Sequence, residues 1–161
     1  MTGDDLNPVV VEILKIHATP PDTNRNNHLH LLGEINMTVP GVRFGIIGCG
    51  VIGRYHAQAA TDSTVVDLLA VSDLRPEVAR EVADLHSVPK VYTDAESLIA
   101  DSEIEAVVLA MPAHVRTDLA LKAFAAGKHV LTEKPVAMNS QEVETLIAAK
   151  GDLVAGCCCS R

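Results

Sequence analysis

From Val42 onward, short apolar runs alternate with segments in which apolar residues recur at helical spacing. Such runs fit strands that are covered on both faces, as in a parallel sheet. Glycine, proline and capping residues punctuate the alternation. The pattern predicts an α/β domain with a parallel sheet of about six strands. The predicted strands are Val42–Ile47, Val65–Ser72, Val91–Tyr92, Ala106–Ala110, Lys128–Thr132 and Leu153–Cys157, and the predicted helices are Val51–Thr61, Pro76–His86, Ala95–Ala100, Ala113–Ala126 and Ser140–Lys150.

Residues 1–36 do not follow this alternation. One apolar run, Val9–Ile16, is followed by two prolines and a polar stretch with three asparagines, which is loop chemistry. Met37 precedes the first predicted strand by only five residues. We expect residues 1–36 to be a poorly ordered N-terminal extension and residues 37–161 to form the folded domain.

The composition of the chain argues against several classes of binding partner. The formal net charge of −8 argues against nucleic acid or an anionic membrane, and the absence of Trp leaves few rings on which bases could stack. No apolar run is long enough to span a bilayer. The cysteines, Cys49 and Cys157–Cys159, form neither a disulfide framework nor a C-x-x-C pattern. We therefore expect no metal, partly buried thiols at the C-terminal run, and a cytoplasmic location.

The most informative segment is Gly-Cys-Gly-Val-Ile-Gly, residues 48–53, which ends the first predicted strand and opens the first predicted helix. G-x-G-x-x-G in this context is typical of dinucleotide binding. Gly48 would allow the tight turn, Gly50 the approach of a pyrophosphate, and Gly53 close packing of the helix. Val51 and Ile52 begin the helix, whose N–H groups attract phosphate. Six parallel strands with this turn constitute a doubly wound Rossmann fold.

Asp73 lies twenty residues after Gly53, at the end of the second predicted strand. A carboxylate at this place accepts hydrogen bonds from the ribose hydroxyls of NAD. Arg75 would attract the 2′-phosphate of NADP, but Asp73 would repel it, so we expect NAD, with NADP as the second possibility. Arg54 is another candidate phosphate contact, and exposed helix-end arginines are an equally good interpretation of Arg54 and Arg75.

A family resemblance rests on the segment AVVLAMPAHVRTDLALKAFAAGKHVLTEKPVA, residues 106–137, and on GIIGCGVIGRYHA, residues 45–57. With Asp73, these segments resemble the Gfo/Idh/MocA oxidoreductases, the glucose–fructose oxidoreductase and inositol dehydrogenase family. The glycine motif occurs in many dehydrogenases, whereas AGKHVLTEKP is far more specific. The resemblance covers about residues 42–157.

This resemblance implies hydride transfer between NAD(P) and a sugar, polyol or related carbonyl or alcohol substrate. It points to Lys134 as the catalytic residue near the nicotinamide, where an ammonium stabilises negative charge or relays a proton. It also implies a cis peptide bond between Lys134 and Pro135. Glu133 is a candidate for orienting Lys134, and Met111 and Pro112 are candidates for lining the nicotinamide side. Purely structural roles for these three residues are the alternative.

The chain departs from the family pattern in two respects. Many relatives carry a histidine four residues after the Pro112 position, where this chain has Arg116; we expect His114 to lie on the helix surface. Family members also continue into a second domain that forms the substrate pocket, and we expect that domain to be absent from this chain. Substrate binding and homo-oligomerisation are therefore expected only of a longer form.

Three functions remain open at this point. The first is the NAD(P)-binding domain of an oxidoreductase, with activity of the 161-residue chain alone undecided. The second is a truncated, non-catalytic NAD-binding sensor or scaffold module. The third is a methyltransferase-type Rossmann domain, against which the Glu-Lys-Pro element and the glycine spacing argue.

Overall fold

In the computed structural model, which describes residues 41–158, the predicted strands pair in parallel into one sheet. The strands are β1 (Val42–Ile47), β2 (Val66–Ser72), β3 (Lys90–Tyr92), β4 (Ala106–Leu109), β5 (His129–Glu133) and β6 (Ala155–Cys158). The helices are α1 (Val51–Thr61), α2 (Pro76–His86), α3 (Ala95–Ala100), α4 (Ala113–Ala125) and α5 (Ser140–Ala149). The strand order, β3-β2-β1-β4-β5-β6, is that of the doubly wound dinucleotide-binding fold. The prediction of a Rossmann fold is confirmed.

The fifth and sixth strands begin later than predicted, for identifiable reasons. The fifth strand begins one residue late because the backbone N–H of Lys128 donates to the carbonyl of Ala123 and completes the end of α4. The sixth begins two residues late because the N–H of Leu153 donates to the carbonyl of Lys150 in the turn after α5. Every other predicted end agrees with the structure within one residue. The predicted extension, residues 1–36, lies outside the described residues.

The packing of β4 on both of its faces explains why its sequence is continuously apolar. Ala106 and Val108 pack in the hydrophobic cluster under α1 and α2, whereas Val107 and Leu109 pack in the cluster under α3 and α4. All four residues are buried because helices cover both faces of the sheet at this central strand. Among the helices within residues 41–158, none combines the length and the apolar character that crossing a membrane requires.

A buried lysine organises the edge of the sheet opposite the glycine turn. Lys128 is 6% exposed, and its Nζ donates to the backbone carbonyls of Asp101, at 2.8 Å, and Ile104, at 2.7 Å. The carboxylate of Asp101 in turn accepts from Lys90 Nζ at 2.7 Å and from Tyr92 Oη at 2.8 Å. The bond from Lys90 is the main reason why the pKa of Asp101 falls to about 2. The turn between α3 and β4 is thus joined to both β3 and β5.

Replacing Lys128 with methionine tests this role, because it removes the donor to the buried carbonyl of Ile104 and one of the two donors to that of Asp101, which also accepts from the N–H of Ile104. An unsatisfied buried polar group costs about 1–3 kcal/mol, so we expect Lys128→Met to lower the free energy of unfolding by about 2 kcal/mol or more. Lys122→Met is the control, since Lys122 forms only an exposed pair with Glu96. Urea unfolding measures both variants. Similar stability losses in the two would contradict the assignment.

Candidate functional site

A cleft of about 780 Å³ opens at the carboxyl ends of β1, β2 and β4. Strands β1 and β4 are neighbours from which the chain winds outward in opposite directions, and open α/β sheets bind ligands at such a switch point. The cleft has the size of a cofactor or small-molecule site. Six of the residues predicted to bind cofactor line it together: Gly48, Gly50, Asp73, Arg75, Met111 and Pro112.

Steric contacts explain two glycines of the motif. Gly48 has a φ of +95°, and a Cβ at this position would lie 2.7 Å from the carbonyl oxygen of Ala110. A Cβ on Gly53 would lie 1.9 Å from the carbonyl oxygen of Gly48, a distance that no side chain can adopt. Helix α1 can therefore approach the end of β1 only if both positions are glycine.

Gly50 differs from its two neighbours in the motif. A Cβ on Gly50 would meet no atom of the described residues within 4 Å, so the space beside it is open. Gly50 is also the N-cap of α1 and provides no side-chain cap for the N–H groups of the first turn. Val51 and Ile52 follow with exposed side chains, so the backbone is what this turn offers to an anion. Open space beside uncapped N–H groups fits a phosphate-bearing ligand.

Asp73 ties the glycine turn to the end of β2. Its Oδ2 accepts a hydrogen bond from the backbone N–H of Cys49 at 2.8 Å, and its Oδ1 accepts from the backbone N–H of Arg75 at 2.9 Å. The exposed Arg75 side chain reaches the same oxygen through Nε at 3.5 Å. Asp73 thus faces the cleft with its carboxylate already held in place, and it lies beside the cation that would otherwise receive a 2′-phosphate.

Cys49 and Arg54, the other polar residues of this turn, are engaged within the protein. The Cys49 thiol is fully buried against the carbonyl of Ser72, and burial, reinforced by the charge of Asp73, raises its pKa to about 12. The Arg54 guanidinium pairs with Glu81 of α2 at 2.7 Å and is not among the residues that line the cleft. Of the two candidate phosphate arginines, the structure places only Arg75 in the cleft.

The Glu-Lys-Pro element begins with Glu133, the last residue of β5, one strand beyond β4 at the same edge of the sheet. The peptide bond between Lys134 and Pro135 is cis, which confirms the expectation drawn from the family resemblance. The Lys134 side chain is exposed, and its backbone carbonyl accepts a long contact of 3.4 Å from Arg116 Nη2. Lys134 and Glu133 do not line the cleft themselves. They lie at the end of β5, the neighbour of β4, on the side where Met111 and Pro112 follow β4 and line the cleft.

Glu133 pairs with His56, a contact that the sequence analysis did not predict. His56 of α1 is 5% exposed, and its Nε2 lies 2.8 Å from Glu133 Oε1, although 77 residues separate them. The Cys158 thiol also reaches Glu133, which joins α1 to the ends of both β5 and β6. Glu133, for which orienting Lys134 and a purely structural role were the two alternatives, thus belongs to a polar cluster with His56 and Cys158.

The donor atoms of this cluster lie within 4.8 Å of one another, which is the spread of a small metal site. A metal would require the thiolate of Cys158. Burial, and then the negative charge of Glu133, raise the pKa of Cys158 to about 12, so without a metal ion the thiol keeps its proton at neutral pH. In that state the cluster is a hydrogen-bonded support for the Glu-Lys-Pro element.

Sequence reasoning missed the outer wall of the cleft. Leu74 is 88% exposed directly after Asp73, and Leu119 contributes a second apolar residue from α4. An apolar residue next to the candidate ribose-binding carboxylate, Asp73, was the available signal for Leu74. His114 is exposed, as predicted, but it lines the cleft from the first turn of α4.

Comparisons with known proteins place the chain in a family. A sequence model described as "Oxidoreductase family, NAD-binding Rossmann fold" matches residues 42–153. The myo-inositol 2-dehydrogenase of Thermotoga maritima is 33% identical over 115 residues, 70% of this chain and 34% of that protein. The inositol 2-dehydrogenase of Acidothermus cellulolyticus is 38% identical over 112 residues, 68% of this chain and 32% of that protein.

A solved structure agrees with these matches. The crystal structure of myo-inositol dehydrogenase from Lactobacillus casei, in complex with NAD(H) and myo-inositol, superposes with a TM-score of 0.69 at 28% identity. The match covers 73% of this chain and 36% of that one, so the chain spans about a third of the length of the relatives it matches. The glycine turn, Asp73 and the Glu-Lys-Pro element thus have a common explanation, and the chain belongs to the Gfo/Idh/MocA oxidoreductase family, of which it contains the NAD-binding Rossmann fold.

Proposed function

We propose that residues 41–158 bind NAD in the cleft at the ends of β1, β2 and β4. We further propose that a longer protein containing them transfers a hydride between NAD and a sugar, polyol or related alcohol or carbonyl substrate. One observation carries the proposal: Asp73 Oδ2 lies 2.8 Å from the N–H of Cys49, directly before Gly50 and the open space beside it. A carboxylate that can accept from ribose hydroxyls therefore adjoins N–H groups that can donate to a phosphate in one cleft.

The chemistry of the cleft assigns each part of the dinucleotide to residues. The uncapped first turn of α1, with Gly50, Val51 and Ile52, would hold the pyrophosphate, and Asp73 would hold the ribose hydroxyls. Met111 and Pro112 would line the nicotinamide side. The relatives named inositol 2-dehydrogenases support a polyol as the substrate class.

Lys134 is the proposed catalytic residue. Bound NAD would supply the hydride acceptor, and the Lys134 ammonium would stabilise negative charge on the substrate oxygen or relay its proton. The exposed side chain of Lys134 at the carboxyl end of β5 supports this role, because that edge also carries the cleft. Glu133 would act only indirectly, as a positioning residue that holds the chain before Lys134 to His56. A cytoplasmic location and homo-oligomerisation of a longer form stay predictions.

Cofactor preference tests the proposal on the chain as it stands. We expect NAD to raise the melting temperature, NADP to bind about tenfold more weakly or worse, and S-adenosylmethionine to have no effect. The physical reason is repulsion between the Asp73 carboxylate and a 2′-phosphate. Asp73→Ser should narrow the difference between NAD and NADP, since Arg75 is then released from Asp73. A wild-type preference for NADP, or stabilisation by S-adenosylmethionine, would refute the assignment.

Two glycines of the motif should respond oppositely to substitution. Gly50→Val places its side chain in open space, so we expect a melting temperature near that of the wild type and at least tenfold weaker NAD binding. Gly53→Ala adds one carbon against a backbone carbonyl, so we expect a stability loss of about 1–3 kcal/mol or more. Thermal melts and NAD titration separate the two effects. A folded Gly50→Val protein with unchanged NAD affinity would remove the glycine turn from the binding site.

The role of Lys134 requires a form of the protein extended by a substrate-binding domain. There we expect Lys134→Ala to lower kcat by at least about a hundredfold with NAD affinity little changed, because a proton-transfer or charge-stabilising group is lost. Lys150→Ala, a lysine after α5 that lies outside the cleft, is the control. Normal turnover in Lys134→Ala would exclude this lysine from the mechanism. Catalytic inactivity of the extended wild type would instead favour a non-catalytic NAD-binding module.

A further inference from the structure

A second cavity, of about 190 Å³, lies between α4, α5 and the ends of β5 and β6. It shares no lining residue with the dinucleotide cleft. Arg116 of α4 lines it and is only 3% exposed, which is exceptional for an arginine. Arg116 is also the residue that stands where many relatives carry histidine. The cavity therefore places a buried cation beside a partly open space.

The hydrogen bonds of Arg116 are incomplete. Its Nη1 donates to Thr132 Oγ1 at 3.0 Å, and its Nη2 makes the long contact of 3.4 Å with the carbonyl of Lys134. Its Nε is buried and has no acceptor among the described residues. A guanidinium has five N–H donors, so these contacts leave most of them unused. Buried polar groups are nearly always paired, so the unpaired Nε of Arg116 indicates a site for an external hydrogen-bond acceptor.

That partner should carry negative charge. Both contacts of Arg116 within residues 41–158 go to neutral oxygens, a hydroxyl and a backbone carbonyl. The carboxylate of Glu133, on the same strand as Thr132, is bonded to His56 instead. Burial lowers the pKa of Arg116, and the nearby Cys157 and Glu133 offset this only in part. An isolated buried cation is costly, and an anion that pairs with it removes that cost.

The other walls of the cavity are mainly apolar. They include Phe124 and Val130, and the side chains of Val143 and Leu146 on α5. A smaller apolar cavity of about 150 Å³ accommodates benzene, so this volume admits a body of similar or slightly greater size. The cavity thus suits a molecule with one charged end and an apolar remainder.

A carboxylate matches the charged end better than a phosphate does. The planar edge formed by Nε and one Nη of a guanidinium pairs with the two oxygens of a carboxylate. A phosphate dianion would bring more charge and more acceptors than Arg116 and Thr132 can satisfy inside apolar walls. We propose that this cavity binds a small monocarboxylate with an apolar body, whose carboxylate pairs with Arg116.

Lys150 is the competing cation, because it also lines the cavity. Its Nζ is already bonded to the backbone carbonyl of Gly151 at 3.0 Å and lies 3.4 Å from that of Leu153. Since Lys150 has acceptors of its own at the turn after α5, Arg116 is the cation that an entering carboxylate would satisfy. Lys150 therefore provides a matched control.

Benzoate and benzyl alcohol are the probes, since they share a ring and differ in charge. Calorimetric titration of the 161-residue chain should show benzoate binding at least tenfold more tightly than benzyl alcohol. Arg116→Met keeps an unbranched side chain and removes the charge. It should weaken benzoate at least tenfold and abolish the preference over benzyl alcohol. Lys150→Met should change benzoate affinity by less than about twofold, since this cation is not the one that pairs with the ligand.

A measurement on the wild type covers the case in which Arg116→Met fails to fold. The side-chain Nε–H resonance of Arg116 should shift on addition of benzoate and stay in place with benzyl alcohol. The proposal is overturned if benzoate does not bind, if the two probes bind equally, or if Lys150→Met alone loses benzoate. It is also overturned if the Nε–H resonance of Arg116 does not respond to benzoate.

Discussion

The close approach of α1 to β1 is the constraint on which the rest of the structure depends. It exists only because Gly48 and Gly53 leave room for the backbone of the first helical turn. The same approach directs the N-terminus of α1 to the carboxyl edge of the sheet, where the dinucleotide cleft opens. Further along α1 it brings His56 over the end of β5, where Glu133 accepts its hydrogen bond. One backbone contact thus positions both the cofactor cleft and the support of the proposed catalytic lysine.

Buried polar groups at this edge act as ties between elements. Asp73 joins the end of β2 to the glycine turn, and Glu133 joins β5 to α1. Each of these carboxylates has its donors close by, so burial is offset by hydrogen bonds. Arg116 is the exception: it anchors α4 to Thr132 but keeps donors unused beside a cavity. The contrast between satisfied carboxylates and an unsatisfied guanidinium distinguishes the structural ties from the group that we propose binds a ligand.

The parts of the fold that could be predicted from the sequence are those with local causes. Asp94 caps α3 by accepting from the N–H of Ser97, and Pro76 opens α2, as their spacing indicated. The glycine turn and Asp73 were also predictable, because the motif and its distance to the carboxylate are properties of one strand–helix–strand unit. The cleft then follows from the strand order.

The parts that could not be predicted depend on residues far apart in the chain. Nothing local joins His56 to Glu133, because their contact exists only once α1 has packed across β5. The burial of Arg116 was not predicted either, since arginine is rarely buried. Its spacing of four and seven residues from Ala120 and Ala123 does place it on the buried stripe of α4. Helical periodicity thus indicated that Arg116 is buried, whereas its residue type indicated an exposed position.

The different surroundings of Gly50 and Gly53 have a consequence for the evolution of such domains. Gly53 is required by the folded backbone itself, so selection for a stable protein alone would retain it. Gly50 meets no neighbouring atoms of the described residues, so only selection for the ligand would retain it. In a lineage that kept this domain but lost its cofactor, the middle glycine would drift first while the last one persisted. The last glycine of the motif therefore reflects selection for the fold, and the middle glycine reflects selection for cofactor binding.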